Sequence, residues 1–193
     1  MTKGVDTKLS IHPVSSEYIF SLFRRAKRSS LYNNAFYLML NTACTSVLGF
    51  VFWFMVARYF SSSDVGIGSA LNSASGLVAS FAGLGLGIGL VRFVPELKEG
   101  AVRLINSAFT LAGVAAIAGS LFYLAGVKYW APALIFLCKN YWLAGFFVLF
   151  TVSIALSGLV DQSFIAARTS NYVFFKNLLA SLLKLPLPVL VFA

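Results

Sequence analysis

From Ala35 onward the chain alternates long apolar runs with short polar breaks. About 20 mainly apolar residues are enough to cross a bilayer as a helix. The runs cover residues 35–57, 67–91, 104–126, 141–160 and 173–193, and at least four of them reach that length without a central charge. The pattern therefore predicts an all-α, polytopic transmembrane bundle of about five spans.

The breaks carry the local signals. In Arg58–Gly66, RYFSSSDVG, the Ser-Asp pattern predicts a helix N-cap, and Tyr59 and Phe60 suit a membrane interface. The run that follows is dense in small residues. The pairs Ser69/Ser73, Gly83/Gly87 and Gly85/Gly89 have the small-xxx-small spacing that lets helix backbones approach closely. Its alternating glycines do not make a dinucleotide loop, which needs a strand before and a helix after. Val127–Asn140 reads as a loop with Tyr129 and Trp130 as interfacial aromatics, and Trp142 as an anchor beyond it. The stretch 161–177 reads as a polar turn, with Asp161, Gln162 and Arg168, leading through a basic helix into the fifth run.

Composition sharpens the class. The chain has 193 residues, of which 59% are hydrophobic and 11% charged. With a mean hydropathy of +0.85, it has too little polar surface to coat a soluble domain. The net charge of +9 does not indicate a nucleic-acid partner, because the cations sit at the ends of apolar runs and in the N-terminal tail. Eleven of the fifteen Lys and Arg residues fall in the tail and in the breaks 92–103 and 161–177, against Arg58, Lys128 and Lys139 in the opposite breaks. That asymmetry predicts a multi-pass protein of the cytoplasmic membrane with its N-terminus in the cytoplasm. Residues 1–30 form the basic tail. Either they hold a short interfacial helix on anionic lipid, built on Ile19, Leu22, Phe23 and Ala26, or they only set orientation. The first run begins too late and is too long to be a cleavable signal.

Candidate chemistry is sparse. Cys44 and Cys138 have no paired spacing and His12 stands alone in the tail, so no metal site, disulfide or cofactor is expected. Catalytic residues are not expected either. The breaks opposite the tail offer Asp64 as their one carboxylate and no histidine, so the chain does not read as an enzyme. Within the first run Asn41, Thr42, Thr45 and Ser46 lie in the half nearer the tail. Asn41 is costly there unless paired, through helix packing or substrate contact.

Three passages, in order, carry a family resemblance: VARYFSSSDVGIGSA, LGLGIGLVRFVPE, and the region from Asp161 to Leu183. The chain resembles the polysaccharide biosynthesis proteins, the O-antigen-type flippases of the multidrug, oligosaccharidyl-lipid and polysaccharide (MATE-like) exporter superfamily. The likeness spans most of residues 30–185. Family members are longer, two-lobed bundles around a central cavity, so the resemblance implies an incomplete chain covering part of the N-terminal lobe. It implies flipping or export of a lipid-linked oligosaccharide by alternating access. The partners implied are that substrate, the bilayer, and the remaining half of the transporter or an oligomeric partner. A drug or cation antiporter of the same superfamily is the alternative, although no carboxylate lies well inside a run; a non-transporting membrane scaffold is another.

An anionic diphosphate cargo calls for cations in a wet cavity. Lys184 lies within the fifth run, ahead of Pro186 and Pro188, which cannot donate to the carbonyls of Leu182 and Lys184 and so predict a kink or break there. Lys184 is thus the first candidate for substrate binding, with Arg92 and Arg58 near the two mouths and Asn41 between. The competing readings are that Lys184 snorkels to an interface and that both arginines only anchor span ends.

Overall fold

The computed structural model describes residues 30–97 and 100–192. The basic tail with its interfacial-helix reading, along with Lys98 and Glu99, lies outside the described residues. Helix α1, Ser30–Tyr59, is unbroken and closes with Arg58 in its last turn, where a cation complements the helix dipole. Taking Ser30 as the near end and Tyr59 as the far end, the chain turns back at once. Ser61 caps α2, Ser62–Gly83, as the Ser-Asp pattern predicts: its hydroxyl oxygen accepts from the Asp64 amide at 3.2 Å and its hydroxyl donates to the Asp64 carboxylate at 2.6 Å.

The second run is not one helix. Leu84 and Gly85 take left-handed φ values of 45° and 72°, and α3, Leu86–Phe93, restarts beyond them. Glycine adopts that conformation without a Cβ penalty, which is why the break falls in the glycine-dense stretch rather than elsewhere in the span. Gly100 leads into α4, Ala101–Trp130, longer at both ends than residues 104–126. The expected loop 127–140 holds the end of that helix, a short 3₁₀ turn at Pro132–Leu134 and a single helical turn, α5, Phe136–Lys139. Asn140 then caps α6, Tyr141–Ala166, accepting from the Trp142 amide at 3.0 Å. That helix runs straight through Asp161, where the sequence reads as a turn. Helices α7, Ser170–Lys184, and α8, Leu187–Phe192, complete the chain.

Five helical segments are long and apolar enough to span a bilayer: Tyr32–Tyr59, Ser62–Gly83, Ala101–Trp130, Tyr141–Ala166 and Ser170–Leu190. With no strand among the described residues, the protein is an all-α, multi-pass membrane bundle.

The helices pack as two groups. Helices α2, α3, α4 and α6 form one unit, and α1 packs mainly on α7 and α8. Helix α4 meets its neighbours through Ala108, Ala112, Ala116, Ser120 and Leu124, spaced four apart on one face. The core is layered along the bundle. Ala74, Leu124, Val127, Leu134, Leu137 and Phe147 fill the far end, Ala79, Ala82, Ala116 and Ala155 the middle, and Leu90, Ala108, Ala112 and Leu159 the near end. In lipid there is little hydrophobic drive between helices, so close van der Waals contact through small side chains supplies the association.

The small residues that do this are alanines, not the expected glycine pairs. Gly83, Gly85 and Gly89 have no atom within 4 Å of where a Cβ would lie, and Ser69 and Ser73 are exposed. Gly87 alone of that set meets a neighbour: a Cβ there would fall 2.8 Å from the Gln162 side chain of α6. The spacing rule found the right run but the wrong face, because spacing cannot tell which side of a helix is covered.

Ala112 has 0% exposure at the α4 seam, whereas Ala118 on the same helix is exposed. Ala112→Leu should overpack the seam and cost about 1–3 kcal/mol. Ala118→Leu should be neutral. Thermal unfolding of the purified protein in detergent checks this, and equal shifts for the two variants would contradict the packing described.

Candidate functional site

The α1–α7 pair sets the depth of the principal candidate. The Ser170 amide donates to Asn34 Oδ1 at 3.1 Å, and the rings of Tyr37 and Phe174 lie 6.1 Å apart. The two contacts advance together along both helices, so α1 and α7 run parallel. Lys184 lies ten residues beyond Phe174, about 15 Å further along the axis at the helical rise. The same rise from Tyr37 reaches Val47, close to the middle of the first span. Lys184 is therefore at mid-depth, and its side chain is exposed.

The helix breaks beside it, as the prolines predict. The Leu185 amide turns back to the Leu182 carbonyl at 3.3 Å, which gives that carbonyl a donor in place of the one Pro186 lacks. Helix α8 restarts with the Val189 and Leu190 amides both on the Pro186 carbonyl, at 3.1 and 2.9 Å.

The other candidates do not gather around Lys184. Arg58 is exposed in the last turn of α1 at the far end. Arg92 is exposed in the last turn of α3 at the near end, its guanidinium 5.5 Å from the centre of the Phe93 ring. Asn41 is half-buried on α1, about four residues past the Tyr37 contact. Its Oδ1 is buried and without a hydrogen-bond partner among the described residues. Thr42 and Thr45, by contrast, donate to the carbonyls of Leu38 and Asn41 one turn back on their own helix.

Between α1 and the larger unit runs a cleft that the sequence does not reveal. A pocket of about 430 Å³ is lined by Phe52 and Trp53 of α1, Asn72 and Ser75 of α2, and Phe146 and Phe150 of α6. An adjoining pocket of about 560 Å³ shares Phe52 and reaches Leu187 and Pro188, just past the break that follows Lys184. The walls are mainly apolar and aromatic; Asp64 lines both pockets, and Asn72 and Ser75 add two more polar groups to the first. Ser75 is one of these: it has 0% exposure, and its hydroxyl has no partner among the described residues. The apolar walls suit a hydrocarbon chain, and the second pocket ends at Leu187 and Pro188, about one helical turn beyond Lys184.

A polar cluster also escapes sequence reading. Asp161, Gln162 and Arg168 read as one group, but they separate. Asp161 pairs with Lys176 of α7, Gln162 rests on Gly87 of α3, and Arg168 is exposed in the turn at φ 57°. Lys176 and Asn177 lie in the break that contains Asp161, so no spacing flags the pairing. The one usable signal is that Ser157 and Asp161 are four apart and would share a face if the helix continued.

Comparison with known protein families, with curated proteins and with solved structures finds no match to this chain.

The Ser75 hydroxyl yields a test of the cleft. Removing a buried hydroxyl that makes no hydrogen bond should leave stability unchanged or raise it by about 1 kcal/mol. Ser75→Ala should therefore melt no lower than the parent protein. A clear fall would mean that a molecule in the cleft holds that hydroxyl.

Proposed function

We propose that this chain forms part of a membrane transporter that moves an amphiphile with an anionic head across the bilayer, a lipid-linked saccharide being the cargo its family resemblance implies. The observation that carries the reading is Lys184, exposed at mid-depth beside a helix break. A lysine at the centre of a span costs at least about 2.5–3.5 kcal/mol on insertion scales. A wet cavity and an anionic partner both offset that cost, which at mid-depth is greater than near an interface that the side chain can reach.

The cleft beside the break supports the hydrocarbon part of that cargo, because its walls are largely apolar and aromatic, while Asp64 in its lining makes it unsuited to the anionic head, which the reading gives to Lys184 outside the cleft. The asymmetric basic breaks support an N-terminus in the cytoplasm, and in this reading the near end faces the cytoplasm. Arg92 then stands at the cytoplasmic end and Arg58 at the opposite one, as end anchors that a charged head passes. The antiporter reading is weaker. Asp161 does fall inside a spanning helix, but Lys176 already neutralises it.

The test uses the full chain in vesicles that contain a fluorescently labelled polyprenyl-diphosphate oligosaccharide. Lys184→Ala should slow transfer between leaflets roughly ten- to a hundredfold, the loss of a charge-assisted hydrogen bond of roughly 1.5–3 kcal/mol. Lys184→Arg should retain most of the rate. Equal transfer by Lys184→Ala would overturn the role of the lysine, and no transfer by the parent chain would favour a scaffold.

A further inference from the structure

Where the two helix groups meet near their near ends, the chain supplies one ion pair among the described residues. The Lys176 ammonium lies 2.5 Å from Asp161 Oδ1, 3.0 Å from Ser157 Oγ and 3.3 Å from the Ser157 carbonyl oxygen. Asn177 donates to the other carboxylate oxygen, Asp161 Oδ2, at 3.3 Å. All three oxygens around the ammonium belong to α6, and the cation arrives from α7. The exposures of the two charged side chains, 31% and 24%, show that the pair is partly shielded from solvent.

A carboxylate, a hydroxyl and a backbone carbonyl converging on one point form the hard-oxygen set that also suits a monovalent metal ion or free ammonium. A lysine in such a cage is a cation on a tether. The tether matters, because α7 belongs with α1 while α6 belongs with α2, α3 and α4. Holding the cation in the cage therefore holds the two groups together. The residue after Asp161 extends the connection, since Gln162 lies against Gly87, just past the break at Leu84 and Gly85.

We infer that Ser157 and Asp161 form a monovalent-cation site whose resident cation is the ammonium of Lys176, and that its occupancy latches the α1–α7 pair onto the larger unit. Partial separation of the groups withdraws Lys176 and leaves the cage open to a free monovalent cation. The inference rests on this geometry alone and stands whatever cargo the protein carries.

Backbone hydrogen exchange of the full chain in detergent, read segment by segment by mass spectrometry, tests it. Lys176→Ala should speed exchange in α7 roughly tenfold in choline chloride, a bulky cation that does not fit the cage, with α2 and α4 unchanged. Ammonium or sodium chloride at the same ionic strength should slow it again. Adding Asp161→Asn to Lys176→Ala should abolish that cation response. Unchanged α7 exchange in Lys176→Ala, an equal response to choline, or a uniform rise in every helix would each overturn the proposal. If Lys176→Ala does not fold, Ser157→Ala keeps the ion pair and removes one cage oxygen. It should speed α7 exchange about twofold, and no change would count against the cage.

Discussion

The hydrocarbon interior of a bilayer offers no water to hydrogen-bond a peptide group, so each span must satisfy its backbone internally. The requirement extends to side chains. Thr42, Thr45, Ser80, Thr110, Ser120, Thr151 and Ser153 each donate to a carbonyl four residues back on their own helix, so these hydroxyls cost little within a span. Helices are interrupted at Leu84 and Gly85, where Gly85 takes the left-handed conformation without a Cβ penalty, and at Leu185 and Pro186, where the proline removes a backbone donor. The break after Lys184 keeps the Leu182 carbonyl paired, and both interruptions restart a helix at once.

Satisfied backbones leave packing to decide which helices associate. In α4 and α6 the buried positions recur every four residues, with alanines and small polar residues at the middle and larger groups such as Leu124, Phe147 and Leu159 towards the ends, and together they build a three-layered core. The α1–α7 pair is different in kind. It meets through larger groups, as at Tyr37 and Phe174, and shares only narrow contact with the other unit. Packing is therefore least continuous along the α1 side of the larger unit, and that is where the cleft opens.

Charge is used sparingly, and two lysines on one helix illustrate opposite uses. Lys176 has a carboxylate, a hydroxyl and a carbonyl around its ammonium, so its cost is met inside the chain. Lys184, about two turns further on, is exposed at the middle of the spans. The first is a structural cation. The second asks for something outside the described residues, which is why the functional reading rests on it.

Much of this architecture was legible in the sequence. Continuous apolar runs announced the spans, Ser61 and Asp64 the cap of α2, and Pro186 the break beside Lys184, because each is a property of neighbouring residues along the chain. Three features were not legible. Helix α6 continues through Asp161 because Lys176, fifteen residues later, supplies the counter-charge that makes a carboxylate there acceptable. The seam runs through alanines rather than the glycine pairs because the covered face depends on which helices become neighbours. The cleft exists because α1 chose α7 over α2. Hydropathy sums over one segment and so fixes that a helix crosses the membrane; partnership depends on which faces meet in three dimensions, and only the folded chain decides that.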